Sequence, residues 1–292
     1  MALIYTQAPA FHRPRVKPKA WGPVSAVRNT ARSYYEDKLG VAAPVLYMPF
    51  WEASGHLIHN YGTPSRNNVG NSAFPETVQC DLNSWAAKNI SFSRQNLQGM
   101  TLPVPPRIEA GMDFTVLATQ ITVKYRGNDS YNTLFRTYST GTGIQCGHVA
   151  YSTSMQFYAA YDYSVASITD APAAGIYNYA WTRKNGATNK DYFVYRDGEL
   201  VGSAINKTAG RLYYNSTSLL YIARYSSILS EYSDPIGALS LFLQNLTPDQ
   251  IALEYDNPYA AIQPRSIPVY FFLGTAPSGN RRRRLLIAGD HQ

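Results

Sequence analysis

The chain has 292 residues, of which 45% are hydrophobic, 13% aromatic (24 of them Tyr) and only 15% charged, with a net charge of +7. That is enough apolar material for a large core, yet no apolar run approaches the roughly 20 residues of a membrane span, and two cysteines with no Cys-x-x-Cys spacing exclude a zinc ribbon. Tyr in this quantity favours strands, because it packs on a half-buried pleated surface while its hydroxyl stays wet.

The charge is unevenly spread. Residues 1–32 carry Arg13, Arg15, Lys17, Lys19, Arg28 and Arg32 with no acid, a net +6. Residues 260–292 carry Arg265 and Arg281 to Arg284 against Asp290, a net +4, which leaves −3 for the stretch between. A mildly acidic globule with two basic tails suggests tails that touch an acidic partner. The first residues lack a basic start followed by an apolar run, so the sequence shows no signal peptide and the chain is expected to be made in a cytoplasm. Cys80 and Cys146 leave a single disulfide open, with no mark of secretion to favour it.

Met1 to Val24 has Pro at positions 9, 14, 18 and 23 with basic residues between them, which reads as an extended arm. A loose terminus is the plain alternative; Phe11 and Trp21 favour an arm that docks. Ser25 to Gly40 reads as a helix, with Ser25 as cap, Val27, Ala31, Tyr34 or Tyr35 and Leu39 on one side, and Gly40 as the stop. Its apolar stripe is thin, so it should pack on a neighbour. Strand patterns begin at Val45. Phe114, Val116 and Ala118 alternate in one phase and Ile121, Val123 and Tyr125 in the next, a slip that a β-bulge would absorb. Met155 to Tyr163, Tyr177 to Thr182, Tyr192 to Val201, Arg211 to Tyr214 and Leu219 to Tyr225 follow as short strands, and Asp197-Gly198 is the clearest hairpin turn.

Ala238 to Tyr259 combines two kinds of structure. Leu239 to Leu243 is an apolar run of strand length ended by Asn245. Thr247, Pro248, Asp249 and Gln250 then spell a helix start: a Thr cap, Pro at the first helical position, an acid in the first turn and Gln to close a capping box. Asn257-Pro258 ends that helix after about two turns. Beyond it, Ile267 to Leu273 is a strand-like apolar run that should pack against this subunit or another.

Three of these segments carry a resemblance. Asn245, Leu246, Thr247, Asp249, Ile251, Leu253, Tyr255, Asn257 and Pro258 match a last strand and closing helix; Asp191 to Ser203 matches an aromatic hairpin turning on Asp-Gly; Val45 to Gly55, followed by Asn60-Tyr61-Gly62, matches an opening strand and its turn. In this order they resemble the laminin G-like, or concanavalin A-like, β-sandwich family. The resemblance implies an all-β, antiparallel jelly-roll sandwich over residues 43–260, preceded by a basic Pro-rich arm and short helix (1–42) and followed by a strand-like segment and Arg-rich tail (261–292). Asn257, Pro258, Tyr259, Pro264, Arg265, Ile267 and Val269 are further similar to laminin G-like proteins encoded in bacteriophage genomes.

The residues offer little catalytic chemistry. Glycoside hydrolases with this sandwich place two carboxylates on one face of a strand, and no Glu-x-Asp-x-Glu spacing occurs here. The nearest acids, Glu36-Asp37, Asp197 with Glu199 and Asp249 with Glu254, fall in predicted helices or a turn. His56 and His59 lie in a predicted loop without a carboxylate partner, no equivalent of the family's calcium ligands is evident, and no phosphate loop, dinucleotide fingerprint or Gly-x-Ser-x-Gly appears. No catalytic residue, metal or cofactor is therefore expected. A sugar site is better supplied: Tyr177, Asn178, Tyr179, Trp181 and Asn185 cluster around one strand, where aromatic faces could stack on a pyranose and amides read its hydroxyls. The plain reading is that they alternate between core and sheet surface. Arg281 to Arg284 would hold phosphate, but no nucleic-acid module accompanies them, so a protein surface is the simpler partner.

The expectation is a non-enzymatic virion protein, made in a host bacterial cytoplasm. In the first form it is a capsid decoration or cement protein that grips the major capsid protein, other virion proteins or copies of itself through Phe11, Arg13, Arg15, Lys17, Lys19, Trp21 and Arg281, Arg282, Arg283 and Arg284. In the second it is a tail or fibre module that binds host-surface glycan through Tyr177, Tyr179, Trp181 and Asn185.

Overall fold

A computed structural model describes residues 24–50, 57–63, 77–79, 83–86, 89–92, 100–103, 113–123, 132–138, 142–148, 154–161, 166–186, 189–208, 219–223, 236–256 and 259–262. Within them the first eight strands are β1 (Leu46–Met48), β2 (Leu57–His59), β3 (Thr77–Gln79), β4 (Asn83–Ala86), β5 (Asn89–Phe92), β6 (Met100–Pro103), β7 (Phe114–Val123) and β8 (Asn132–Tyr138). They are followed by β9 (Thr142–His148), β10 (Met155–Tyr161), β11 (Ala166–Asp170), β12 (Gly175–Asn185), β13 (Asn189–Arg196), β14 (Glu199–Thr208), β15 (Leu219–Ile222) and β16 (Ala238–Phe242). Two six-stranded antiparallel sheets result, ordered β1-β16-β7-β12-β13-β14 and β11-β10-β9-β8-β15-β6, with β2-β3 and β4-β5 as separate hairpins.

The main core fills the space between the sheets. Val116, Ala118, Trp181, Val194, Leu239 and Leu241 enter from the first sheet, and Met100, Phe135, Cys146, Phe157 and Ile222 from the second. The phase slip in β7 is a β-bulge. Tyr179 pairs with Ala118 but Tyr177 pairs with Ile121, so β7 carries the extra residue, and Gln120 takes a left-handed φ of 53°. The Gln120 N–H donates to Asn178 Oδ1 at 2.9 Å, which satisfies the group the bulge removes from the ladder. Phe114, Val116, Ala118, Ile121 and Val123 consequently all face one core, while Tyr125 lies outside the described residues.

A second core covers the outer face of the first sheet. Helix α1 (Val24–Tyr34) continues into a π-helical turn (Tyr35–Leu39) and ends at Gly40, whose N–H donates to the Tyr35 carbonyl. Val27, Ala31 and Tyr35, one side of the expected stripe, are buried against Tyr47, Leu117 and Phe242. Ser25 lies inside the helix, which starts two residues earlier than a Ser25 cap would place it. Helix α2 (Pro248–Asp256) opens with the expected box: the Thr247 N–H donates to Gln250 Oε1 at 2.8 Å and the Gln250 N–H to Thr247 Oγ1 at 3.3 Å. Ile251, Tyr259, Ala261 and Ile262 pack with α1, and the Tyr259 hydroxyl donates to the Gly237 carbonyl at 2.9 Å.

Two polar turns hold the strands in register. Asp197 and Gly198 both have positive φ, 52° and 84°, as a two-residue turn between β13 and β14 demands. Asn60 is buried beside β1, where its Oδ1 accepts the N–H groups of Tyr47 and Gly62, each at 2.9 Å. Cys146 is a free, buried thiol in β9, so no disulfide forms there, and burial pushes its pKa up. The strands β8 and β9, central to the second sheet, are absent from the strands expected from sequence, and Arg211 to Tyr214 falls outside the described residues.

Candidate functional site

The aromatic cluster expected around β12 separates into different environments. Tyr179 and Trp181 point between the sheets, are 1% and 0% exposed, and stack on each other at 5.4 Å with an interplanar angle of 11°. They offer no face to a sugar; strand alternation turns every second residue inward, and both occupy the inward phase. Tyr177 lies partly buried against the same core with the Arg196 guanidinium over its ring, and its hydroxyl donates to the Ala173 carbonyl. Asn178 secures the bulge, and Asn185 is exposed at the far end of the strand, its N–H bonded to Asp113 Oδ1. Phe11, Arg13, Arg15, Lys17, Lys19, Trp21, Arg281, Arg282, Arg283 and Arg284 all lie outside the described residues, as does His56.

The acids near these residues bind protein partners. Asp170 on β11 accepts the Tyr179 hydroxyl at 2.6 Å and Arg196 Nη1 at 2.7 and 2.6 Å, so one carboxylate clasps the second sheet to the first. Asp197 accepts the Asn178 N–H at 2.8 Å. At the opposite end of β12, Arg183 is fully buried with its guanidinium 4.9 Å from the Phe114 ring centre. Burial and then the Arg183 charge pull the nearby Lys190 ammonium down to about 8. Among the described residues no cluster of three or more His, Cys, Asp or Glu side chains is placed to hold a metal ion.

Glu254 is the exception in its electrostatics. It sits on the buried side of α2, with Oε2 accepting the Tyr35 hydroxyl at 3.3 Å and Oε1 without a hydrogen-bond partner. A cavity of about 20 Å³ lies alongside, lined in part by Thr119, Asn178, Ser240 and Tyr255, large enough for one water. Burial raises its pKa from 4.5 to about 8, against the smaller lowering effect of Tyr35. The folded protein thus keeps a proton that the unfolded chain releases near pH 4.5. Stability should fall as pH rises from about 4.5 to about 8, by at most about 1.4 kcal/mol per pH unit, and level off above. Thermal melts of the protein and of Glu254→Gln between pH 5 and 9 check this: the variant should lose that slope, and an unchanged slope would place the titration elsewhere.

The surface that remains for a ligand is on the second sheet. Both helices pack on the first sheet and leave the outer face of the second uncovered by them. The strand register places Ile168, Phe157, Cys146, Phe135, Ile222 and Met100 in one inward row, all buried. In the adjacent outward row the register pairs Gln145 with Arg136 and Arg136 with Tyr221. Gln145, Arg136 and Tyr221 are each half-buried. With strands about 4.8 Å apart, Gln145 and Tyr221 stand about 10 Å from each other, with Arg136 between them. The other described outward positions on these strands include Gln156 and Thr169, and among them and the row's described residues there is no Asp or Glu.

Gln145, Arg136 and Tyr221 were not singled out from the sequence. Their signal was alternation: Phe135/Arg136, Gln145/Cys146 and Tyr221/Ile222 each put an apolar residue inside and a polar or aromatic one outside.

No protein-family model matches the sequence, and no curated protein matches it significantly. Solved structures do. The botulinum neurotoxin serotype C1 binding domain aligns with 12% identity and a TM-score of 0.51 over 73% of this chain and 51% of that one. The Trypanosoma rangeli sialidase in complex with sialic acid aligns with 11% identity and a TM-score of 0.53 over 81% of this chain and 38% of that one. The chain thus spans about half or less of these proteins' length. The fold is a mostly β, concanavalin A-like sandwich of two antiparallel sheets with a helix near its C-terminal end. At such identities the likeness is one of fold.

Proposed function

We propose that the chain is a non-enzymatic, glycan-binding module whose site is the outer face of the second sheet. The observation that carries this reading is the register that sets Tyr221 beside Arg136 and Arg136 beside Gln145 in one outward row, with no carboxylate among the described outward positions. Aromatic rings supply stacking platforms for the apolar faces of sugars and the amide and guanidinium read hydroxyls. The absence of Asp and Glu from the described positions of that face supports binding over hydrolysis, which needs a carboxylate pair. The structural neighbours, which include a toxin binding domain and a sialidase in complex with sialic acid, are consistent with this use of the fold. Binding to a broad glycan panel tests it. Tyr221→Ala should weaken the strongest hit about 10- to 30-fold, the effect of truncating an aromatic anchor, while Lys184→Ala, exposed on the first sheet, should leave it unchanged. A panel without saturable binding would overturn the proposal.

The resemblance at Asn257 to Val269 supports placing this module on a bacteriophage particle, as a tail or fibre component that recognises host-surface glycan. The opposed charges of the two tails and the globule favour a second reading, decoration of the capsid through the tails. Copy number in purified particles separates them: a few copies fit a tail or fibre, and a number near that of the major capsid protein fits decoration.

A further inference from the structure

We infer that the cavity between α2 and the first sheet is a binding site for a primary ammonium group, carried by a small amine or by the lysine side chain of a partner, with Glu254 as its anionic end. Two side chains from different elements present polar atoms without a hydrogen-bond partner along this cavity: Glu254 Oε1 from α2 and Thr119 Oγ1 from β7. Both residues are buried, at 5% and 7% exposed. Leaving buried acceptors unmet is costly, so an occupant that donates to both is favoured. The volume of about 20 Å³ takes one group the size of a water, which an ammonium head is. Leu117, Ala180 and Ile251 supply apolar walls that suit a methylene stem.

The entrance is acidic. Of the residues that line the cavity, only Asn178, Gly198 and Tyr255 are not buried, so it opens between the β13–β14 turn and α2. Burial and then the charges of Asp197, Asp256 and Glu199 raise the pKa of Tyr255, which places three carboxylates around that opening. A low-dielectric cleft rimmed by one sign of charge concentrates the opposite sign. Inside, the groups that sense the charge of Glu254 are Tyr34, Tyr35 and Tyr47, and none of them is a cation. A primary ammonium carries three donors on a slender stem, enough for Glu254 Oε1 and Thr119 Oγ1 together. A guanidinium is too broad for a water-sized end, a quaternary ammonium has no donor, and an alcohol has no charge to pair. Burial holds Glu254 protonated up to about 8 in the empty cavity. At pH 7 the entering R-NH3+ therefore meets a carboxylic acid, which gives its proton to solvent and becomes the carboxylate of a buried, hydrogen-bonded ion pair.

Calorimetric titration of the full chain with n-butylamine at pH 7 and constant ionic strength tests this. Saturable binding is expected, with release of about one proton, read as a heat that changes with the ionisation enthalpy of the buffer. Neither n-butanol nor tetramethylammonium should compete. A parallel titration with Nα-acetyl-lysine methylamide separates the sources: if it binds too, a partner's lysine can enter, and if only butylamine binds, the site takes small free amines. Glu254→Gln should weaken butylamine roughly tenfold or more. Glu199→Gln combined with Asp256→Asn, both on the surface, should weaken it less and flatten its dependence on salt, which keeps the test valid should the buried variant fail to fold. A butylamine titration without saturable heat would leave the cavity to a single water and overturn the inference. So would equal binding of butanol, or an affinity that survives Glu254→Gln. None of these results bears on the glycan reading, whose face lies on the other sheet.

Discussion

Trp181→Ala should destabilise the protein by roughly 3–5 kcal/mol, the cost of deleting a large aromatic side chain from a close-packed core. Trp181 is among the largest fully buried side chains, sits in the main core between the sheets and stacks on Tyr179. Neither ring can move far to refill the space, because Asp170 holds the Tyr179 hydroxyl while itself paired with Arg196. The indole Nε1 has no hydrogen-bond partner, so Trp181→Phe loses volume without losing a hydrogen bond and should recover a large part of the stability. Urea unfolding measures both: the midpoint should drop steeply for Ala and moderately for Phe at constant slope. A Trp181→Ala midpoint near that of the native protein would mean that the sheets are not joined at this point. The same burial makes the substitution useless as a test of sugar binding, since loss of binding would report loss of the core.

The Asn60 turn should show an effect of similar size. Asn60→Ala removes the acceptor of two backbone N–H groups, those of Tyr47 and Gly62, and a weaker bond from Nδ2 to the Val45 carbonyl at 3.4 Å. Tyr47 is itself buried in the second core. Leaving buried donors unsatisfied costs about 1–3 kcal/mol each, so a loss of roughly 2–5 kcal/mol is expected. Asn60→Asp preserves the acceptor but buries a charge, and should fall between the two. Gly62→Ala attacks the same turn sterically: a Cβ there would meet the backbone of Val45 and Leu46 at 2.6 to 2.7 Å, where no flexible side chain can yield. Hydrogen exchange at Tyr47 would localise the damage; unaltered protection in Asn60→Ala would show that the side chain is not what holds β1.

Much of this architecture was legible from short-range chemistry. The capping box at Thr247 and Gln250, the two-residue turn at Asp197-Gly198 and the bulge between Ala118 and Ile121 each depend on residues a few positions apart, and each has the geometry its residues require. The buried stripe of α1 was readable for the same reason, being a periodicity within one element. The second sheet was harder. Its central strands β8 and β9 have Asn, Gly and Gln where strong strand formers would stand, and a register shift at Leu134 breaks their alternation.

The local pattern of the sequence determined the strands of the first sheet, the Asp197-Gly198 turn, the start of α2 and the sandwich class, because period and turn chemistry act within a few residues of chain. Which face each tyrosine occupies depended on tertiary structure. Tyr179 and Tyr221 look alike in sequence, each in an aromatic run on a short strand, but the sheet–sheet interface covers one and leaves the other half-open beside Arg136. The alignment of Gln145, Arg136 and Tyr221 arises from the register of three strands spread over more than 60 residues. Register of that kind is set by how two apolar faces close on each other, and no local signal along the chain encodes it.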